Sequence, residues 1–356
     1  MSHQLKSSEK SWNLKMTQFA VNTENPLRKI WEGHKVFPNP QKEAITLQIG
    51  KLHKSLREKK LIFCSHLGDP TVFGNFPMSN ESVKAIKDAL DRDNFAYTVS
   101  AGMKSARQAV AEYINKNNNN KNNDNVSSDD VILTSGCSTA LEICFRALAN
   151  PGENILVPRP AWNYTTWMCG SGINVQFYNL DPSRDWEIDL KHFESLINES
   201  TKAILINNPG NPCGNVFSKA HILEILKIAE RHKLPIIADE VYEFFVFPGV
   251  KFHSISSLST NVPVLTCSGL TKRFLMPGIR MGWIVMNDRN NLFDDIRLGL
   301  ANIAGRNFWP NSTVQLALPE IIKNTPQEFF DDNCRRVYVS RRFVINEVRN
   351  FVLFYF

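Results

Sequence analysis

The 356-residue sequence has no apolar run long enough to cross a bilayer. Its first residues, MSHQLKSSEKSW, lack the apolar core of a secretory signal and the Arg-rich, acid-poor character of a transit peptide. The expected compartment is therefore the cytosol. No C-x-x-C pair occurs among the seven cysteines, Cys64, Cys137, Cys144, Cys169, Cys213, Cys267 and Cys334. That spacing disfavours zinc ribbons and redox dithiols, and no metal site is expected. Most of these cysteines sit in apolar runs and read as small buried residues of a reducing compartment. No G-x-G-x-x-G follows a strand pattern, which disfavours a nicotinamide dehydrogenase. No internal repeat is visible. The chain also lacks a dominant charge, since 41 Lys and Arg against 35 Asp and Glu leave only +6. So small and dispersed a surplus marks neither a nucleic-acid nor a membrane surface. The two dense basic stretches, 51–60 and 335–342, read as solvated faces.

What is present is ordinary globular material. Apolar residues make up 43% of the chain and charged residues 21%, enough for a large core, and the length suggests about two domains. The middle of the chain alternates short β-branched runs with helical periodicity, the pattern of a mostly parallel sheet covered by helices. Strands are predicted at Val131–Thr134, Asn154–Val157, Ala203–Asn207, Pro235–Asp239, Pro263–Cys267 and Gly282–Met286. These runs are nearly all apolar, as strands buried on both faces are. Leu141, Cys144, Phe145 and Leu148 follow helical spacing, as do Ile222, Ile225, Leu226 and Ala229. The polar tract 117–125, NNNNKNNDN, reads as an exposed loop insertion.

Four local patterns carry chemistry. Thr134–Ala140, TSGCSTA, places small residues where a strand meets a helix, so backbone N–H groups and the helix dipole could hold a phosphate. There Gly136 lets the backbone approach, and Ser138 is expected to cap the helix. Asn207–Gly214, NNPGNPCG, fixes a rigid turn at a strand's carboxyl end, where open α/β sheets bind ligands. Asp239 follows an apolar strand and would be costly to bury alone, so a cationic partner is expected from a ligand or an Arg. Lys272 lies just past another apolar strand, with Pro277-Gly278 turning the chain toward Arg280. A lysine held in cationic, partly desolvated surroundings becomes a competent nucleophile toward a carbonyl. A phosphate cradle, a buried acid, amide and phenol donors and an activated lysine together suit an aldehyde cofactor with a phosphate arm and a pyridine ring.

In these motifs the chain resembles the pyridoxal-phosphate-dependent aminotransferases of the aspartate aminotransferase fold. GDPTVFGNFP at 68–77, together with ILVPRP, WEIDL, NPCGNVFSK and PGIRMGW, resembles its tyrosine-transaminating branch. The resemblance implies an α/β fold with a large cofactor-binding domain, its mixed, mostly parallel sheet covered by helices on both faces. A small, incomplete α+β domain is also implied. Residues 1–67 would form an arm and part of the small domain, 68–325 the large domain, and 326–356 the start of the C-terminal small domain. Lys272 matches the lysine that bonds the cofactor aldehyde and shuttles a proton, and Asp239 the acid that pairs with the ring nitrogen. Tyr242 and Asn211 match donors to the ring's phenolic oxygen. Gly136, Cys137, Ser138 and Arg280 match the phosphate clamp, and Trp162 the aromatic stacked on the ring. Tyr97 matches a tyrosine reaching the phosphate of a neighbouring subunit, which implies a homodimer. Gly68 matches a glycine whose backbone touches the substrate carboxylate.

The implied activity is transfer of the amino group of L-tyrosine, and of other aromatic amino acids, to 2-oxoglutarate. The products would be 4-hydroxyphenylpyruvate and glutamate, as in tyrosine and phenylalanine catabolism, with pyridoxal 5'-phosphate as cofactor. Another lysine-dependent enzyme of the fold, a C–S lyase or an alanine or aromatic transaminase, is one alternative. A catalytically impaired product of an incomplete reading frame is another. Two departures from the family pattern bear on these. Residues 51–67 separate ITLQIG from GDPT, as a retained intron or gene-model error would, with the glycine recurring as Gly68. The chain also ends in an apolar run, RNFVLFYF, where the resemblance implies a longer small domain with a carboxylate-binding arginine. Arg335, Arg336, Arg341 and Arg342 are expected in the helix leading into that domain.

Overall fold

All six predicted apolar runs are strands of one eight-stranded sheet in the computed structural model, which describes residues 45–46, 63–64, 71, 76–92, 96–118, 125–306 and 310–353. Two short strands, β1 (Ile45–Thr46) and β2 (Phe63–Cys64), pair in parallel ahead of helices α1 (Asn80–Leu90) and α2 (Lys104–Asn118). The stretch expected to be an insertion thus contributes a strand. Its other residues, and Gly68, lie outside the described residues. The main sheet starts with β3 (Val131–Thr134), which leads into α3 (Cys137–Leu148). Then come β4 (Asn154–Arg159), α4 (Thr165–Gly170), β5 (Asn174–Asp181), β6 (Glu187–Ile188) and α5 (Leu190–Ser195). After these follow β7 (Thr201–Asn207), α6 (Lys219–His232), β8 (Ile236–Asp239), α7 (Ile255–Leu258), β9 (Val264–Gly269) and β10 (Gly282–Asn287). Helices α8 (Asp294–Ala304), α9 (Ser312–Asn324) and α10 (Gln327–Leu353) close the described chain.

Strand order across the sheet is β3-β10-β9-β8-β7-β4-β5-β6, parallel except for β10 and the short edge strand β6. Successive side chains of a strand point to opposite faces, and here both faces are covered. Ile237, Leu265, Cys267 and Ile284 pack with Leu141, Cys144 and Phe145 of α3. Ile204, Ile206, Ile236 and Ala238 point the other way, onto Ile222, Ile225 and Ala229 of α6. On that second face, Leu133 and Trp283 meet Val110 of α2 and Leu318 of α9. Continuous apolar sequence in the central strands follows from this double burial.

Two expectations need adjustment. Asn117 and Asn118 belong to the last turn of α2, where Asn117 Nδ2 donates to the Tyr113 carbonyl at 2.7 Å, so the polar tract begins inside a helix. Residues 119–124 lie outside the described residues. Among the described cysteines, Cys137, Cys144 and Cys267 are buried, but Cys169 is exposed and Cys213 and Cys334 are half-buried. Strand β5 carries no all-apolar run, because it lies toward the sheet edge with much of its length accessible. Arg335, Arg336, Arg341 and Arg342 are exposed on α10, as a solvated basic face requires. No helix among the described residues is long and apolar enough to cross a membrane.

Candidate active site

Chain direction gathers the site. The carboxyl ends of β3, β4, β7, β8 and β9 share one edge of the sheet, and β10, running against its neighbours, starts there. Residues just past those strand ends therefore converge, although they are far apart in sequence.

Asp239 is the last residue of β8. Ile237, two positions earlier, packs on the α3 face, so strand alternation turns Asp239 to the same side. There its Oδ2 accepts a hydrogen bond from the Tyr164 hydroxyl at 2.7 Å. Oδ1 accepts from the Val241 N–H at 3.2 Å and from the Cys137 thiol at 3.7 Å. At 4% exposure, burial pushes the carboxyl above its usual range, while the Tyr164, Val241 and Cys137 donors and the Lys272 charge oppose that shift. Of the two cationic partners expected for Asp239, a ligand or an Arg, no arginine is found among the described residues. Neutral donors hold the carboxylate instead, and Lys272 is the cation that acts on it.

Lys272 follows β9, and its Nζ lies 5.5 Å from the centre of the Tyr242 ring. Burial, with smaller contributions from Asp239 and Cys137, pushes the Tyr242 phenol up to about 12. Tyr242 is thus a protonated hydrogen-bond donor at neutral pH. Asn207, which ends β7, fixes the neighbouring turn. Its Nδ2 donates to the Asp239 carbonyl at 3.1 Å, and its Oδ1 accepts from the Asn211 N–H at 2.7 Å. Asn211 is thereby held beside the end of β8.

An anion cradle forms where β3 meets α3. Gly136 occupies the N-cap position with φ 90°, and no side chain caps the helix. Ser138, expected as the cap, is instead the second residue of α3. The first N–H groups of the helix, from Cys137 and Ser138, have no carbonyl of their own helix to bond. Arg280, with φ 55°, brings its guanidinium against Gly136, and its Nη2 donates to the Ser135 carbonyl at 2.9 Å. A side chain at position 136 would collide with that guanidinium. Glycine is needed there for the backbone to share one concavity with the arginine.

Trp162 is half-buried, stacked on Trp167 with centroids 4.6 Å apart and edge-on to Tyr164 at 5.5 Å. It therefore borders the Asp239 group through Tyr164. Tyr97 is 95% exposed and makes no hydrogen bond or ring contact with the other described residues. Gly68 lies outside the described residues.

Two contributions escaped sequence reasoning. Tyr164 donates to Asp239 across 75 positions, and A-W-N-Y carries no local sign of that role. Cys137, expected only at the anion, also lends its thiol to the acid. As built, the edge brings together N–H and guanidinium donors at α3 and Arg280, a buried carboxylate at Asp239, a phenol at Tyr242 and an amine at Lys272.

Comparison with known proteins accords with this geometry. The chain is 46% identical over 330 residues to the tyrosine aminotransferase of Mus musculus, covering 92% of this chain and 68% of that protein. The crystal structure of tyrosine aminotransferase from Leishmania infantum superposes with a TM-score of 0.81 at 30% identity, covering 90% of this chain and 75% of that one. An alanine aminotransferase from Pyrococcus furiosus gives the same TM-score at 26% identity, covering 94% of this chain and 79% of that one. The family model described as aminotransferase class I and II matches residues 59–352, and the chain belongs to that family.

Proposed function

We propose that this site transfers the amino group of L-tyrosine, and of other aromatic amino acids, to 2-oxoglutarate, yielding 4-hydroxyphenylpyruvate and glutamate. The observation that carries the reading is the convergence of Asp239, Lys272 and the Gly136–Arg280 cradle on one sheet edge. These residues fit pyridoxal 5'-phosphate. The uncapped start of α3 and Arg280 suit its phosphate, the buried Asp239 suits its ring nitrogen, and Tyr242 and Asn211 suit its phenolic oxygen. When bound, the cofactor supplies an aldehyde that carries the amino group and a ring that accepts the electron pair left when the substrate Cα–H bond breaks.

The chain's own residues do the rest. Asp239, oriented by Tyr164 and Val241, would hold a proton on the ring nitrogen. Lys272 Nζ would be the nucleophile toward the aldehyde and the base that moves the proton of the substrate Cα. Tyr242 stays protonated and donates, because burial holds its phenol near 12. Arg280 and the α3 N–H groups would hold the phosphate. Trp162 belongs on the ring face, beside Tyr164.

Tyr97, exposed on its own protomer, is available to the phosphate of a second copy, so the working unit of this reading is a homodimer. Gly68 takes the substrate carboxylate. The same reading divides the chain at 67/68 and 325/326, the latter at the start of α10. Its compartment is the cytosol, in keeping with the free thiols of Cys137, Cys144, Cys169, Cys213, Cys267 and Cys334.

The test is direct. Borohydride should trap pyridoxal phosphate on Lys272, and Lys272→Ala should abolish that adduct. Tyrosine with 2-oxoglutarate should give keto acid, whereas release of pyruvate and ammonia from cysteine conjugates in its place would assign the site to a C–S lyase.

A further inference from the structure

Lys272 and Tyr242 sit on two tight turns just beyond adjacent strands. The first turn closes through Leu275 N–H to the Lys272 carbonyl at 3.2 Å and Met276 N–H to the Leu270 carbonyl at 3.1 Å. The second closes through Glu243 N–H to the Glu240 carbonyl at 2.8 Å and Phe245 N–H to the Tyr242 carbonyl at 3.0 Å. Each contains a bulky residue in the left-handed region, Leu275 at φ 55° and Phe244 at φ 57°. Such backbone costs free energy and persists only where surrounding packing over-determines it. No backbone hydrogen bond joins the two turns among the described residues.

The residues that follow Lys272 and Tyr242 supply the missing link. Arg273 is 7% exposed, and its guanidinium lies 4.7 Å from the ring of Phe244, 4.5 Å from Phe330 and 5.6 Å from Tyr113. Its Nη1 donates to the Tyr113 hydroxyl at 2.7 Å. That hydroxyl donates in turn to Glu243 Oε1 at 3.3 Å, which also accepts from Ser268 Oγ of β9 at 2.9 Å. Arg273 Nε has no hydrogen-bond partner, so the rings around it carry much of the hold. In both dipeptides, then, one residue serves the site and the next enters a shared buried network.

We infer that Arg273, Tyr113 and Glu243 are positioning residues, a buried tether that fixes the Lys272 and Tyr242 turns against each other and so sets the attitude of the Lys272 amine. The inference rests on the reading of Lys272 given above. Displacements of about 1 Å at a reacting group, made from a distance, can lower rates by roughly 10²-fold. A lysine whose turn loses its cross-link should therefore meet a fixed aldehyde less often, with the anion cradle untouched.

The test uses the full chain with pyridoxal phosphate as the probe. Tyr113→Phe removes the bridging hydroxyl and keeps the ring. Arg273→Met combined with Glu243→Gln removes both charges, so neither is left buried and unpaired. Both variants should keep the wild-type fold, read by thermal unfolding, and bind the phosphate arm. Their rate of borohydride-trappable adduct formation should fall roughly tenfold, within the range such misplacement produces. The absorption band of the lysine-bound cofactor should shift, and kcat for tyrosine should fall with KM unchanged. Folded variants with wild-type capture rate and an unshifted band would overturn the tether. An adduct that survives Lys272→Ala would instead overturn the reading on which it rests.

Discussion

Two buried carboxylates four residues apart, Asp239 and Glu243, meet opposite surroundings. Glu243 lies within a network that includes a cation of its own chain, Arg273, joined through Tyr113 and supported by Ser268. Asp239 is held by a phenol, a thiol and an amide, all neutral. Burial raises both acids, but for Glu243 the largest opposing influence is the Arg273 charge, whereas for Asp239 it is the Tyr164 hydrogen bond. The first arrangement is complete without a ligand. The second relies on neutral donors, with the Lys272 charge a weaker influence, and so suits a further cation supplied by something bound.

Removing each charge should break the comparison in opposite ways. Asp239→Asn should lower kcat by roughly 10²–10³-fold, the scale expected for loss of one preorganised electrostatic contact, while thermal stability holds or rises. A kinetic assay beside a melting curve checks both halves. Glu243→Gln should leave Arg273 buried beside an uncharged partner and cost about 3–5 kcal/mol of folding stability, measured by denaturant unfolding. Its loss of activity per folded molecule should be smaller than that of Asp239→Asn.

Much of this was legible in sequence. The central strands announce themselves because burial on both faces demands continuous apolar text, and their carboxyl ends then locate Asp239, Lys272 and the turn at Asn211. Strand β5 (NVQFYNLD) lacks that text because it lies toward the edge, and β6 is too short to show a pattern. Hydrogen bonds that span the fold were not legible. Tyr164 reaches Asp239 over 75 positions and Tyr113 meets Arg273 over 160, and neither leaves a local signature. The Ser138 cap failed for a smaller reason. Gly136 takes the N-cap itself, because only a residue without a side chain fits beside Arg280.

Tyr164→Phe sharpens the same contrast at lower amplitude. It deletes the strongest of the influences that keep Asp239 ionised, so the acid's pKa should climb. The acid limb of the pH–rate profile should then move to higher pH, and activity should fall about tenfold, equivalent to roughly 1.4 kcal/mol.

Glu240 provides the quietest comparison. It is buried between the other two acids in sequence, accepts the Ile255 N–H at 2.8 Å, and burial raises it to about 8. Because the folded state holds this proton more tightly than the unfolded state, stability contributed by the protonated group declines as pH rises from about 4.5 to about 8. Glu240→Gln should flatten that part of the stability–pH curve and leave activity near wild type, as read by unfolding across the range.

The central claim is that the Asp239 carboxylate holds a proton on the nitrogen of a ring whose carbonyl carbon faces Lys272. Pyridoxal phosphate labelled with ¹⁵N in its ring reports on this by nitrogen NMR. The account predicts a protonated-nitrogen shift in the wild-type chain and an unprotonated one in Asp239→Asn. The same shift in both proteins would contradict it.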